Sequence, residues 1–176
     1  MTLRQIRLFG DPVLNTAADA VTSFGPGLRA LARDMLETMD EAGGVGLAAN
    51  QVGVTQRVFV YDCPDGSARR RGVLVNPSWA PVLPGADGEA ATLVPGREGC
   101  LSIPGVPGTV PRHERVVVSG TDEWGRAVCL LAGGLLARCI QHESDHLDGV
   151  LFLAHLSTEE RREAMADIRS ADWFNR

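Results

Sequence analysis

The segment CIQHESDHLDG, residues 139–149, contains the side chains whose types and spacing best suggest chemistry. His142 and His146 are four positions apart, so on a helix both imidazoles lie on one face. Such a pair suits a metal ion, and Glu143 can reach the same site. Apolar residues precede the pair and LDGVLFL (147–153) follows it, which indicates a buried helix rather than two surface histidines. The segment therefore predicts a metal-binding helix.

A catalytic metal held by a protein usually has three protein ligands and one open position, so a third ligand is expected. Zinc proteases with the same pattern take it from downstream, but Phe152 occupies the position of their third histidine and residues 164–166 include no glutamate. His155 fits neither spacing, and His113 is expected in a solvent-exposed turn. Cys100, in the glycine-flanked segment REGCLSIPG, is the upstream candidate. Two histidines and one cysteine would leave the fourth position open for water.

The remaining cysteines and the one basic cluster suggest no chemistry. Cys63, Cys129 and Cys139 stand among apolar neighbours and are interpreted as small buried hydrophobic side chains. In a reducing cytosol, free thiols or ligands are expected rather than disulfides. The arginines at positions 69–71 are interpreted as a solvated turn.

The composition is that of an ordinary globular chain. Of its 176 residues 44% are hydrophobic and 22% are charged, and the formal net charge is −5. This balance argues against a general nucleic-acid binder and supplies no basic stripe for a membrane surface. No apolar run approaches the roughly 20 residues that span a bilayer, and the first residues show no secretory or transit pattern. We expect one domain over residues 1–176, located in the cytoplasm, while the oligomeric state stays open.

Hydrophobic spacing predicts helices near the start, in the late middle and at the end of the chain, with strands between them. The predicted helices are LRALARDMLETMDEAGG (28–44), GGLLARCIQHESDHLDG (133–149) and one that begins near Ser157, where Ser157 and Glu160 form a capping box. The predicted strands are residues 57–62, 72–77, 114–120 and 126–132, the last two joined by a hairpin turn. Residues 80–98 are expected to form a long surface excursion. This order predicts an α+β fold with antiparallel β-sheets around a central HExxH-bearing helix, an N-terminal helix and a C-terminal helix.

Three segments resemble the signature motifs of the peptide deformylase family. They are GVGLAANQ (44–51), EGCLS (98–102) and QHESDH (141–146), in similar order and at similar spacing. The likeness extends over nearly the whole chain, and three motifs in order are a specific signal. The resemblance implies a single catalytic domain that removes the N-formyl group from formyl-methionine on newly made polypeptides and releases formate. It also implies one divalent metal ion, natively Fe²⁺, for which Zn²⁺, Ni²⁺ or Co²⁺ can substitute.

The same resemblance assigns roles to individual residues. The implied metal ligands are Cys100, His142 and His146. Glu143 would act as general base and then general acid while a metal-bound water or hydroxide attacks the formyl carbon. Gln51 and the backbone N–H of Leu101 would hold the oxyanion.

The substrate side of the site is expected to draw on two segments. Gly44, Val45 and Gly46 would let an extended peptide approach as an added strand, although close packing of this segment against the HExxH helix explains the glycines equally well. An apolar pocket for the methionine side chain is expected from Val45, Cys139 and Ile140. Some bacterial relatives carry an arginine near the position of Pro107, and its absence here leaves the substrate-side contacts open.

Behind the ligands, Asp145 is expected to fix the orientation of His146, with Arg112 as its partner. The expected partners of the protein are nascent chains, with the charged C-terminal helix either a ribosome-docking element or an ordinary solvated helix. A zinc endopeptidase and a structural metal site are the alternatives. The first is disfavoured by Phe152, and the second by the lack of an obvious fourth ligand.

Overall fold

The computed structural model describes residues 2–83 and 91–175. In this part of the chain there are three α-helices and seven β-strands. The helices are α1 (Pro26–Glu41), α2 (Gly134–Leu147) and α3 (Thr158–Ser170). The strands are β1 (Gly46–Ala48), β2 (Val58–Asp65), β3 (Ala68–Pro81), β4 (Leu93–Cys100), β5 (Ile103–His113), β6 (Arg115–Thr121) and β7 (Ala127–Gly133). Short 3-10 helices occupy Pro12–Asn15, Ala49–Val52 and Phe152–His155.

The strands form two antiparallel sheets. The larger has the order β1-β2-β3-β6-β7, and the smaller pairs β4 with β5. β1 pairs only with β2, through Gly46 opposite Tyr61 and Ala48 opposite Phe59, so its other edge carries no strand among the described residues. β1 is therefore a three-residue edge strand.

Helix α2 lies in the core between the two sheets. Its residues Leu136 and Ile140 pack with Phe59 and Leu74 of the larger sheet in one buried cluster. A second cluster joins α1 to β1, β2 and β3, and a third joins β5 to α3. Because the sheets cover α2 from two directions, ten of its residues are buried, among them polar ones that need partners.

The predicted α+β architecture with a central helix is confirmed, and most boundaries are close to those expected from the sequence. The hairpin turn between β6 and β7 is present. At the start of α3, Ser157 accepts a hydrogen bond from the backbone N–H of Glu160, and the Ser157 hydroxyl donates to the Glu160 carboxylate. Ala164 and Ile168 are the buried face of this helix, as expected.

Three local expectations were wrong. The arginines at positions 69–71 are not in a turn but in β3, where they pair with Asp62, Asp65 and Asp40. His113 is half-buried at the end of β5, with its ring against Trp79. Cys129 is exposed, because alternate residues of β7 face solvent and Cys129 falls on that face.

Two further observations concern the surface of the fold. The expected excursion at 80–98 contains the end of β3 and most of β4, and its centre, residues 84–90, lies outside the described residues. Among the helices described, none combines the length and apolarity needed to cross a membrane.

Candidate metal centre

Three predicted ligands meet at one point. Cys100 ends β4, and His142 and His146 project from α2 one turn apart. The Cys100 Sγ lies 3.2 Å from His146 Nε2, and one donor atom from each of the three residues lies within 4.8 Å of the others. Two ligands of one tetrahedral ion are separated by roughly 3.5 Å, given metal–ligand bonds of about 2.0–2.3 Å. The donor spacing and the mixture of one sulfur and two ring nitrogens therefore fit a single transition-metal ion.

Glu98 is the first residue of the motif EGCLS and contacts His142, one of the three predicted ligands. It was not predicted to have a role in the site. Its Oε2 lies 2.9 Å from His142 Nδ1, while Arg112 and Arg138 both donate to Oε1. Burial opposes ionisation, but the hydrogen bonds from His142 and Arg112 hold the pKa of Glu98 at about 2. An ionised carboxylate can only accept, so His142 Nδ1 must donate, and Nε2 is left for the metal.

Asp145 and Arg112 meet, as the sequence led us to expect. Arg112 Nη1 donates to Asp145 Oδ2 at 2.6 Å, and the same oxygen lies 2.8 Å from His155 Nε2. Arg112 thus joins Asp145 to Glu98 and through it to His142. The expected contact between Asp145 and His146 is not formed, because His146 Nδ1 is buried and has no hydrogen-bond partner among the described residues. Asp145 is therefore connected to Glu98 and His142 through Arg112.

Glu143 is buried on the same helix, at the cavity wall. Its Oε2 has no hydrogen-bond partner in the described part of the chain, and burial raises the pKa of its carboxyl to about 7. A carboxyl with a pKa near neutral can both accept and return a proton. Space for it depends on Gly46, since a Cβ there would collide with Glu143 Oε1 and lie 2.7 Å from Cys139 Sγ. Close packing of β1 against α2 therefore explains this glycine.

Gln51 is held with its amide nitrogen towards the ligands. Its Oε1 accepts a hydrogen bond from Ala48 N at 2.8 Å, which leaves Nε2 directed at Cys100 Sγ (3.4 Å) and Ser102 Oγ (3.2 Å). Gln51 and Ser102 are almost fully buried. Ser102 was missed in the sequence, although it is the last residue of EGCLS. Leu101 follows Cys100 in the turn between β4 and β5 and lines the same cavity.

A cavity of about 820 Å³ opens onto these groups. On one side it is lined by Gly44, Val45 and Gly46 of the segment around β1, and on another by Cys139 of α2. Pro107 also lines it, and Gly44 leaves room for the side chain of Leu101. Ile140, which we expected in the pocket, is fully buried in the core cluster between α2 and the larger sheet and is not among the lining residues.

Known proteins resemble this chain in both sequence and fold. The family model of polypeptide deformylases matches residues 3–162. The chain belongs to the polypeptide deformylase family. It is similar to peptide deformylase 1 of Corynebacterium efficiens, with 54% identity over 176 residues that cover 100% of both chains. It is also similar to peptide deformylase of Acidothermus cellulolyticus, with 51% identity over 98% of this chain and 89% of the relative.

Solved deformylase structures have the same fold. The peptide deformylase from Thermus thermophilus has a TM-score of 0.82 and 45% identity, and the match covers 96% of this chain and 94% of that one. The peptide deformylase from Synechococcus elongatus, solved in complex with actinonin, has a TM-score of 0.81 and 43% identity, over 96% and 89% of the chains. Family and fold thus confirm the resemblance inferred from the three motifs.

Membership of the deformylase family also bears on the protease alternative. Phe152 occupies the position where a zinc protease would carry its third histidine. Its side chain is buried and its ring stacks on that of His142, with 6.2 Å between the ring centroids. The third donor near the two histidines is Cys100. Phe152 is therefore a core residue packed behind His142 and not the third ligand of a protease site.

Proposed function

We propose that this protein is a metal-dependent peptide deformylase that hydrolyses the formyl amide of N-formyl-methionyl polypeptides and releases formate. The observation that carries the proposal is the meeting of Cys100, His142 and His146 beside Glu143 at the wall of a cavity. Glu143 is a buried carboxylate with one oxygen that has no hydrogen-bond partner among residues 2–83 and 91–175. Family membership supplies the reaction class. A single catalytic domain over residues 1–176 is part of this proposal.

The metal would be held by Cys100 Sγ and the ring nitrogens of His142 and His146. When bound, it would supply Lewis acidity that polarises the formyl group and lowers the pKa of a water to near neutrality. We propose Fe²⁺ as the native ion, with Zn²⁺, Ni²⁺ or Co²⁺ as substitutes. Glu98 would keep the His142 ring in its ligating orientation.

Glu143 would move the proton. As the carboxylate it accepts a proton from the attacking water, and as the carboxylic acid it returns the proton to the leaving amine. The raised pKa of Glu143 suits both steps. Gln51 Nε2, with the backbone N–H of Leu101, would donate hydrogen bonds to the oxygen that becomes negative. The hydrogen bond from Ala48 N to Oε1 holds the Gln51 amide with Nε2 on the side of the proposed ligands.

The peptide substrate would lie along the free edge of β1. Strand addition uses backbone hydrogen bonds, so it would accept many sequences after the methionine. Val45 and Cys139 would contact the methionine side chain, and Pro107 would border the following residue. We place this reaction in the cytoplasm, on chains leaving the ribosome, with α3 as a docking element to be tested.

Formate release from a formyl-Met-Ala-Ser peptide tests the proposal. Protein purified without oxygen is compared with Glu143→Gln and with Glu159→Gln, a change at an exposed glutamate of α3. We expect loss of about 10²–10⁴-fold in formate release for Glu143→Gln, the range of general base catalysis, with metal content unchanged. Glu159→Gln should behave like the parent protein. One equivalent of metal with no formate release after Fe²⁺ or Ni²⁺ loading would disprove the proposal.

A further inference from the structure

Two thiols outside the proposed catalytic machinery converge on one carbonyl oxygen. Cys63 of β2 and Cys139 of α2 each donate to the Val45 carbonyl oxygen, with both Sγ–O distances at 3.4 Å. The same oxygen accepts the backbone N–H of Asp62 at 2.9 Å. Val45 is therefore anchored to the sheet by one backbone hydrogen bond and by two thiols that come from different elements.

The two thiols also interact with each other. Their proximity lowers the pKa of Cys63 and, together with burial, raises that of Cys139. Because each sulfur lies 3.4 Å from the same oxygen, the two sulfurs are separated by no more than twice that distance. A disulfide requires them to approach to about 2.05 Å. Cys63 is fully buried, but Cys139 lines the cavity, so a small oxidant that enters the cavity reaches the pair through Cys139.

We propose that Cys63 and Cys139 are an oxidative modification site, at which a peroxide converts the pair into a disulfide. One thiol is oxidised to a sulfenic acid as the peroxide O–O bond breaks and the first water leaves. The sulfur of the second thiol attacks the sulfenic sulfur, the S–S bond forms, and the hydroxyl departs with the thiol proton as a second water. Two thiols and one hydrogen peroxide thus yield one disulfide and two waters.

The disulfide would remove both S–H donors from the Val45 carbonyl and leave only the Asp62 N–H. It would also draw Cys139 towards β2, and Cys139 packs beside Gly46, which borders Glu143. We therefore expect the cavity wall and the carboxylate to move. Reduction of the disulfide would restore the original contacts, so the modification is reversible.

Hydrogen peroxide treatment of zinc-loaded protein tests the site, because zinc has no redox chemistry of its own. Peptide mapping should find a Cys63–Cys139 cross-link that dithiothreitol reverses. Cys129→Ala, which removes the exposed thiol of β7, should form the same cross-link, whereas Cys63→Ala should form none. Absence of the cross-link at a peroxide dose that oxidises Cys129 in the parent protein would overturn the proposal, and this readout requires no enzymatic activity.

The expected loss of activity rests on the proposed function. Cross-linked protein should release formate about tenfold or more slowly, since small misplacements of catalytic groups have effects of this size. The rate should recover on reduction, and Cys63→Ala should lose less of its rate than the parent protein under the same peroxide treatment. An unchanged rate in fully cross-linked protein would contradict the inferred movement of the wall. Failure of untreated protein to release formate with any metal would instead count against the deformylase proposal.

Discussion

Glu98 shows how one buried carboxylate can organise a ligand set. Its two oxygens are shared among His142, Arg112 and Arg138, and its side chain is almost fully buried. Buried charges are stable only when they are paired and hydrogen-bonded, and here both cations are arginines whose planar groups hold the carboxylate in a fixed position. The orientation of His142 therefore depends on a residue that is not one of the three proposed metal ligands.

Replacement of Glu98 by glutamine tests this dependence. Glutamine cannot satisfy two arginines and a ring N–H as an anion does, so the His142 ring should lose its fixed orientation. We expect metal affinity to fall by about 10–100-fold, measured by competition with a chelator. Glu159→Gln, at an exposed site, serves as the matched control. Equal affinity in Glu98→Gln and the parent protein would show that Glu98 does not orient the ligand.

At the scale of elements, the packing of β1 against α2 decides the shape of the site. Gly44 faces Leu101, and Gly46 faces Glu143 and Cys139, so both glycines are needed for space rather than for an unusual backbone angle. A three-residue edge strand that packs this closely on a helix brings the free edge of the sheet and the side chains of α2 into one cavity. The distance between the free edge of β1, where we propose that the peptide binds, and the proposed base is set by this contact.

An alanine at position 46 should therefore be costly. Its Cβ would displace the Glu143 carboxylate, and overpacking of this kind lowers the free energy of unfolding by about 1–3 kcal/mol. We expect Gly46→Ala to unfold at lower urea concentration and to release formate more slowly. The control is Gly27→Ala in the first turn of α1, where a Cβ meets nothing within 4 Å, and it should not lower stability. Equal stability of the two variants would refute the steric argument.

At the scale of the whole molecule, a charged network on β2 and β3 lies away from the ligands. Arg69 and Arg71 both donate to Asp62, at 2.6 and 2.7 Å, and Arg71 also binds Asp40 of α1. The hydrogen bond from Arg69 holds the pKa of Asp62 below its ordinary value of 3.8, against the effect of burial, with a further contribution from Arg71. The network joins α1 to the larger sheet.

This network predicts a dependence of stability on pH. Because the pKa of Asp62 is lower in the folded state, its ionised form favours folding. Its contribution is complete above the unfolded value near 3.8 and disappears as the pH falls through the folded-state pKa. In urea unfolding, Asp62→Asn should be less stable than the parent at pH 7, and the difference should shrink below about pH 4. Asp167→Asn, a change at an exposed position of α3, is the matched control, and a difference that does not shrink at all as the pH falls below 4 would contradict this explanation.

The sequence predicted those parts of the fold and site that depend on local patterns. Spacing placed His142 and His146 on one helical face, and the flanking apolar residues indicated that α2 is buried. Glu98 and Ser102 could not be assigned, because their partners are 14 or more positions away in sequence and meet them only after the sheets pack on α2. Cys129 was misplaced because apolar neighbours do not reveal which face of an edge strand is covered.

The three donor atoms also join parts of the molecule that belong to different sheets. Cys100 ends a strand of the two-stranded sheet, whereas His142 and His146 belong to the helix that packs on the larger one. An ion bound by all three would act as a cross-link that only the folded chain can form, and its binding free energy would add to that of folding. Metal supply would then govern the lifetime of the protein. In a cell short of the ion, the chain would open more often around β4 and β5, and proteases would remove it.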